Sequence, residues 1–163
     1  MTCKLALSAM VATVLLATSA AKADDWLTYQ NDRYGTTIDY PVIFKMQRPP
    51  DADDGRTFKS ADGADFTVSA SYFALDSTVA KYHDFIVKNL DAGSAITYER
   101  RGKNWFVISG TRADRIFYEK HLLSHGLNED FVMSYPASAK STYDPIVDRM
   151  AKSFRSGKGF QSP

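Results

Sequence analysis

The sequence predicts an α+β fold, in which an antiparallel β-sheet meander packs against two helices. Short strand-like runs separated by turn residues indicate antiparallel neighbours, because parallel strands require long crossover connections. Two segments instead carry apolar residues at helical spacing, one in the middle of the chain and one near its end. Aromatic residues make up 13% of the chain and fall mostly in or beside the strands, which supplies a core for both helices to cover.

Residues 1–23 are expected to be a secretory signal peptide that is cleaved before Asp24. Lys4 gives a positive start, Leu5 to Ala17 are apolar, and Ala21-Lys22-Ala23 forms a small-x-small cleavage site. The apolar run is shorter than the roughly 20 residues that a membrane span needs. An uncleaved membrane anchor is the alternative, and the cleavage site favours export. The mature form is then expected to have no membrane span.

The remainder is expected to be one α+β domain over residues 24–155, followed by a flexible tail over 156–163. Loss of 23 residues from 163 leaves 140, the size of one ordinary domain. Loss of Lys4 and Lys22 also changes the formal net charge from +1 to −1, which leaves 18 basic and 19 acidic residues. This balance does not predict a nucleic-acid partner or an anionic membrane surface.

The single cysteine, Cys3, precedes the apolar run and would be lost with the signal peptide. Its position does not match a lipoprotein signal, in which the cysteine follows the apolar region at the cleavage point. The mature domain would therefore have no disulfide, thiol nucleophile or cysteine metal ligand. An exported domain without disulfides is more typical of a bacterial periplasm than of a eukaryotic extracellular space. We expect a periplasmic location, with full secretion as the alternative.

The strands of the first half form two predicted hairpins. Thr28 to Tyr40 contains a turn over residues 31–35, and Pro41 ends its second strand. After a polar loop over residues 46–55, Arg56–Ser60 and Ala64–Phe73 pair across Asp62-Gly63, a strong hairpin signal.

A helix is predicted next. Asp76 or Ser77 is expected to cap its first turn, and Gly93 to end it. Its apolar stripe is Val79, Tyr82, Phe85, Ile86 and Leu90.

Four further strands and a final helix complete the predicted order. The strands are Ala95–Arg101, Trp105–Thr111, Arg115–Ser124 and Phe131–Tyr135, and residues 126–130 form the last connection between them. The helix spans residues 141–154, with Pro145 in its first turn. Its apolar stripe is Tyr143, Ile146, Val147, Met150 and Phe154.

This order and several local motifs resemble the PsbP/Mog1-like superfamily, and small exported bacterial members in particular. The run from Arg33-Tyr34-Gly35-Thr36 into Ile38-Asp39-Tyr40-Pro41 is similar to the family's opening strand. Gly55 to Phe58 with Ser60 to Gly63 is similar to its second hairpin, Phe117 to Lys120 to a late strand, and Ile146 to Phe154 to its closing helix. The resemblance implies an α/β sandwich. It implies no shared catalytic residues, since characterised members act mostly as binding, assembly or accessory proteins.

The histidines do not predict a metal site. His121 and His125 are four residues apart, but a strand separates such positions by about 13 Å, too far for one ion. They are expected to be partly exposed near a strand end. His83 is expected to lie in solvent on the polar side of the first helix.

Other candidate sites also fail on spacing. Asp51, Asp53 and Asp54 do not have the ligand register of an EF-hand, because Gly55 falls one position early. Ser109 and Ser134 are not in a nucleophile-elbow motif, and no acid pair can be assigned from the spacing of Asp65, Glu99 and Glu119. The sequence therefore predicts no catalytic, cofactor-binding or metal-binding residues, and no cofactor.

Two surface features suggest binding. Trp105–Thr111 carries large apolar residues on both faces, which predicts a sheet covered on both sides or one whose second face binds a partner. Basic residues cluster near the ends of this hairpin, either as a solvated rim or as a docking site for an acidic partner. They are Arg100, Arg101, Lys103, Arg112 and Arg115.

These observations predict an exported, non-enzymatic binding or accessory domain that acts on a protein partner or small ligand in the cell envelope. A secreted hydrolase with an active site unrecognisable from sequence is the alternative, so enzymatic activity stays open with a non-enzymatic role preferred. A third possibility is an envelope-stress or virulence-associated factor whose role requires its partner. The ligand and oligomeric state are not predicted.

Overall fold

A computed structural model describes residues 25–72 and 78–157 of the chain. The expected signal peptide, the expected helix caps Asp76 and Ser77, and nearly all of the expected tail lie outside these ranges. Within them the helices are α1, Val79–Lys88, and α2, Lys140–Ser153, the latter preceded by a 3-10 turn at Ala137–Ala139. The strands are β1 Trp26–Gln30, β2 Thr37–Pro41, β3 Lys45–Met46, β4 Gly55–Lys59, β5 Asp65–Tyr72, β6 Ser94–Arg101, β7 Trp105–Arg112, β8 Arg115–Ser124 and β9 Leu127–Pro136.

The strands form two antiparallel sheets. β1 and β2 make a two-stranded sheet, and the others form a seven-stranded sheet in the order β3-β4-β5-β9-β8-β7-β6. Strands β6 to β9 pair consecutively, as predicted for the meander. β9 then pairs with β5, so that Phe66 lies opposite Met133 and the two halves of the chain share one sheet. The predicted α+β fold class is confirmed.

Each helix covers a different face of the large sheet. On one face, here called the α2 face, α2 and the β1–β2 hairpin pack on Phe58, Phe66 and Phe131. The rings of Phe58 and Phe66 stack with centroids 4.4 Å apart, directly across β4 and β5. On the opposite α1 face, Phe106 and Ile108 belong to a second cluster that packs against α1. The sheet is thus the middle layer of a sandwich.

Two predicted boundaries are wrong for local reasons. Residues 126–130 are not a loop, because β9 begins at Leu127 directly after a two-residue turn. Both turn residues, His125 and Gly126, have positive φ angles of 52° and 78°, as in a type I′ hairpin turn.

The first helix also ends elsewhere than predicted. Its N-cap is Thr78, whose side chain accepts a hydrogen bond from the Lys81 amide, and its C-cap is Asn89 rather than Gly93. Gly93 instead has a φ of +82° in the turn that leads into β6.

Candidate functional site

A bulge in β6 determines which side chains the edge of the sheet presents. Ile96 lies opposite Gly110 on β7, whereas Tyr98 lies opposite the next residue, Ser109, so the pairing register shifts between them. In a regular strand Ile96 and Tyr98 would point to the same face, because side chains alternate with a period of two. The bulge instead leaves Ile96 packed on the α1 face and turns Tyr98, followed by Arg100, towards the α2 face.

Gly110 allows β6 and β7 to approach closely at this bulge. A Cβ atom at position 110 would lie 2.0 Å from the carbonyl oxygen of Ala95 and 2.9 Å from the Cα of Ile96. Those atoms belong to backbone, which cannot move aside as a flexible side chain would. Any residue with a side chain at position 110 must therefore displace the bulged part of β6.

The side chains turned to the α2 face line a groove between α2 and strands β6 to β8, here called the α2 groove. Its main part has a volume of about 480 Å³, and an adjoining part of about 340 Å³ continues along α2. Pockets for small molecules usually have volumes of about 300–1,000 Å³. The main part is lined by Tyr98, Arg100, Trp105, Val107, Ser109, Tyr118, Lys120, Leu122, Asp148, Ala151 and Lys152.

The groove combines an apolar floor with a basic end. Tyr98 remains 49% exposed at its margin, whereas Val107 is buried in its floor. Burial, reinforced by the negative charge of Asp148, raises the pKa of Tyr118 to about 12, so that its phenol stays neutral at physiological pH. Arg100 and Lys152 form no ion pair with any residue in the described ranges.

Lys120 is committed to holding α2 against the sheet. Its ammonium donates a hydrogen bond to the carbonyl oxygen of Ala151 at 2.5 Å, in the last turn of the helix. The same ammonium lies 6.0 Å from the centroid of the Phe154 ring. Burial lowers the pKa of Lys120, since desolvation disfavours the charged amine. A cation near a helix C-terminus complements the helix dipole, which accounts for the placement of this lysine.

The structure does not bring the five predicted basic residues together. Arg100 lines the α2 groove, Arg101 bonds to Glu99 at 2.7 Å on the α1 face, and Lys103 lies in the turn after β6. Arg112 and its β8 partner Arg115 lie at the other end of β7, roughly 17–20 Å along the strand from the positions opposite Arg100 and Arg101.

Those two arginines are occupied by nearby acidic groups. Arg112 is paired with Asp91, and Arg115 donates to Asp65 at 2.9 Å and to Ser134 at 2.7 Å. Of the five, only Arg100 lines the α2 groove. Whether any of the five contacts a partner remains a prediction.

The expectations for two histidines are wrong. His121 is 1% exposed and His83 is 4% exposed, although both were expected to reach solvent. The His121 ring lies 2.7 Å from Asp130 through Nδ1 and 3.1 Å from Glu119 through Nε2. The Tyr82 hydroxyl of α1 donates to the same Asp130 carboxylate at 2.9 Å. This cluster fastens α1 to β8 and β9.

Part of the polar cluster around His121 could have been found from the sequence. Glu119 and His121 are two residues apart on one strand and therefore share a face. Asp130 lies directly opposite His121 in β9, but the predicted loop over residues 126–130 concealed that pairing. His83 escaped notice because its partner Glu99 comes from β6, with Nε2 3.3 Å from the carboxylate.

The arrangement around His121 does not form a Ser-His-Asp triad. A triad needs one ring nitrogen on an acid and the other on a nucleophile, whereas both nitrogens of His121 face carboxylates. Burial alone would lower the pKa of His121, but the hydrogen bonds to Asp130 and Glu119 outweigh it and raise that pKa. The cluster therefore stabilises an imidazolium ion.

The described residues form neither a metal site nor a membrane-spanning helix. Among residues 25–72 and 78–157, no group of three or more His, Cys, Asp or Glu side chains is arranged to hold a metal ion. In the same ranges, no helix has both the length and the apolarity required to cross a bilayer.

The fold is similar to that of cyanobacterial PsbP (CyanoP) from Synechocystis sp. PCC 6803, known from a solution structure. The two superpose with a TM-score of 0.63 and 15% sequence identity, over 87% of this chain and 98% of that chain. No family model and no curated protein matches the sequence. The predicted PsbP-like resemblance is confirmed for the fold, and so low an identity carries no residue roles with it.

Replacing Gly110 with alanine is expected to destabilise the protein by about 1–3 kcal/mol, because the added methyl group overpacks the backbone of β6. Urea denaturation followed by circular dichroism measures this loss. The matched control is Thr111→Ala, at the next and exposed position of β7, which should change stability by about 0.5 kcal/mol or less. Equal stabilities for Gly110→Ala and the wild type would contradict the close approach.

Replacing His121 with glutamine is expected to destabilise the protein more at pH 5 than at pH 9. A raised folded-state pKa means that the stabilisation is complete below the unfolded value of about 6.5 and is lost as pH rises through the folded value. Chemical denaturation at both pH values measures the difference between variant and wild type. In a Glu119→Gln background this pH dependence should shrink, because one carboxylate is gone. A loss of stability in the variant that is larger at pH 9 than at pH 5 would contradict the raised pKa of His121.

Proposed function

We propose that this protein is an exported, non-catalytic binding or accessory domain of the cell envelope, and that its ligand or protein partner docks in the α2 groove. A PsbP-like fold is compatible with an accessory or binding domain in general terms. The specific support comes from the groove itself and from the expected signal peptide. A periplasmic location is preferred, because the exported domain would contain no cysteine.

The exposure of Tyr98 at the α2 groove is the observation that carries the proposal. Elsewhere on this face Phe58 of β4, Phe66 of β5 and Phe131 of β9 are buried beneath α2 and the β1–β2 hairpin. Towards β6 that cover ends, and a half-exposed aromatic ring lies in one groove with Arg100 and Lys152. Aromatic residues and arginine are enriched at recognition surfaces, where a rigid ring supplies contact area.

The chemistry of the groove also favours binding over hydrolysis. None of the described residues that line it is a histidine, and the buried His121 and His83 belong to the opposite face of the sheet. Lys120 is engaged with a helix carbonyl, and the raised pKa of Tyr118 keeps its phenol from acting as a base at neutral pH. The groove thus offers shape, apolar surface and positive charge.

Export is tested by expressing the chain with a C-terminal tag in a Gram-negative host and fractionating the cells. We expect the tagged protein in the periplasmic fraction, with Asp24 as its first residue by N-terminal sequencing. Replacing Ala21 and Ala23 with bulky residues should block processing, because the cleavage site requires small side chains. Unprocessed protein in the cytoplasm of cells that express the wild-type chain would contradict this part of the proposal.

Docking in the groove is tested with a photo-crosslinking amino acid in place of Tyr98, and in place of Tyr72 as the matched control. The two tyrosines are 49% and 47% exposed, and Tyr72 lies at the C-terminal end of β5, outside the groove, against Tyr34. Irradiation in cells should give a discrete protein adduct or small-molecule mass shift from position 98 and not from position 72. Equal adducts from both positions, or none from position 98, would rule out the groove as the docking site.

A further inference from the structure

We infer that the α2 groove selects an amphipathic monoanion: a small molecule with one carboxylate or similar oxyanion and an aromatic or aliphatic body. This inference rests on the proposed function, because it names the ligand class of the same site. It follows from the distribution of charge along the groove, the apolar lining beside that charge and the volume available.

The positive charge lies at one end of the groove. Arg100, Lys120 and Lys152 all line the main part, whereas the adjoining part contains Lys140, which is paired with Asp144. Lys120 uses one of its three N–H groups on the Ala151 carbonyl and is half-buried, so it is the least available donor of the three. Arg100 and Lys152, which have no ion pair within the described ranges, are the main donors for an anionic group, and an arginine can bind a carboxylate through two parallel hydrogen bonds.

Asp148 sets the orientation of such a ligand. Its side chain lines both parts of the groove and so lies at their junction. A carboxylate there repels an anion that enters the adjoining part and leaves the Arg100 end as the favourable position. It also lowers the formal charge of the main part's lining from +3 to +2, and Lys120 is already engaged by the Ala151 carbonyl, which disfavours a ligand with many negative charges.

The body of the ligand would lie on the apolar lining beside these cations. Val107 and Leu122 come from neighbouring strands, and the ring of Tyr98 stands at the margin. Burying this surface contributes about 25 cal/mol per Å², so an apolar body adds to the affinity of the anionic group. A volume of about 480 Å³ is suited to two fused rings or a medium-length alkyl chain rather than to a folded partner.

The test compares two fluorescent probes with similar aromatic bodies. 8-Anilinonaphthalene-1-sulfonate is a monoanion, and N-phenyl-1-naphthylamine is its uncharged counterpart. We expect the anion to bind the chain at one site and the neutral probe to bind more weakly. Raising the salt concentration should lower the affinity of the anionic probe only, because salt screens the attraction between exposed charges. Decanoate should displace the anionic probe, and decanol should not.

Variants that remove a positive charge show where the anionic group binds. Arg100→Gln and Lys152→Gln should each lower the affinity for the sulfonate probe by about threefold or more, and together by about tenfold, with little effect on the affinity for the neutral probe. The matched controls are Arg48→Gln and Lys59→Gln, which remove exposed cations outside the groove and should leave both probes unchanged. Tyr98→Ala should lower the affinity for both probes, because it removes part of the apolar lining.

The outcomes separate this inference from the proposed function. If the charge-removing variants leave the affinity for the sulfonate probe unchanged while Tyr98→Ala lowers the affinity for both probes, the inferred selectivity for an anion is wrong. The groove would still be the binding site. If Tyr98→Ala affects neither probe, the groove is not the site and both proposals fail. Crosslinking of an acidic peptide at position 98, combined with no competition by decanoate, would overturn the small-molecule class.

Discussion

The close approach of β6 to β7 at Gly110 is the constraint on which the candidate site depends. The missing side chain allows the Ala95 carbonyl to lie where a Cβ would otherwise be. That contact accommodates the bulge, and the bulge changes which residues of β6 face each side of the sheet. Ile96 joins the core beneath α1, while Tyr98 and Arg100 turn to the α2 groove.

The two faces of the sheet then have different roles. On the α1 face, the His121 ring held between Asp130 and Glu119, together with the Tyr82 hydroxyl, joins the helix to β8 and β9 by polar contacts within an apolar cluster. On the α2 face, Lys120 fastens the last turn of α2 to β8. Each helix is thus held by polar contacts to the sheet, and Arg100 of β6 and Lys152 of α2, which have no ion pair within the described ranges, face the α2 groove.

Much of the fold could be predicted because the strands and turns are encoded locally. The hairpin signal Asp62-Gly63 and the apolar stripe of the last helix depend on neighbouring residues alone, and both predictions agree with the structure. The predicted loop over residues 126–130 was wrong because His125, which is not a typical turn residue, adopts a left-handed conformation there. That one boundary concealed Asp130, and with it the environment of His121.

The groove could not be predicted, because it depends on a register shift between strands rather than on any motif. Strict alternation along β6 would place Ile96, Tyr98 and Arg100 on one face. Only the pairing of β6 with β7 shows that Ile96 lies on the opposite face from the other two. A glycine in a strand suggests a bulge or a close approach, so Gly110 was the available signal. The five basic residues did not predict a single surface for the same reason. Although they are near one another in sequence, the strand pairing divides them between two faces and two strand ends.

Proton–proton contacts measured by NMR test the central claim most directly. The bulge predicts nuclear Overhauser effects from the Ile96 side chain to the Phe106 and Ile108 cluster on the α1 face. It also predicts effects from the Tyr98 ring to Tyr118 and other residues that line the α2 groove. Contacts from Ile96 and Tyr98 to the same face would mean that β6 is a regular strand, and the account of the groove would then be wrong.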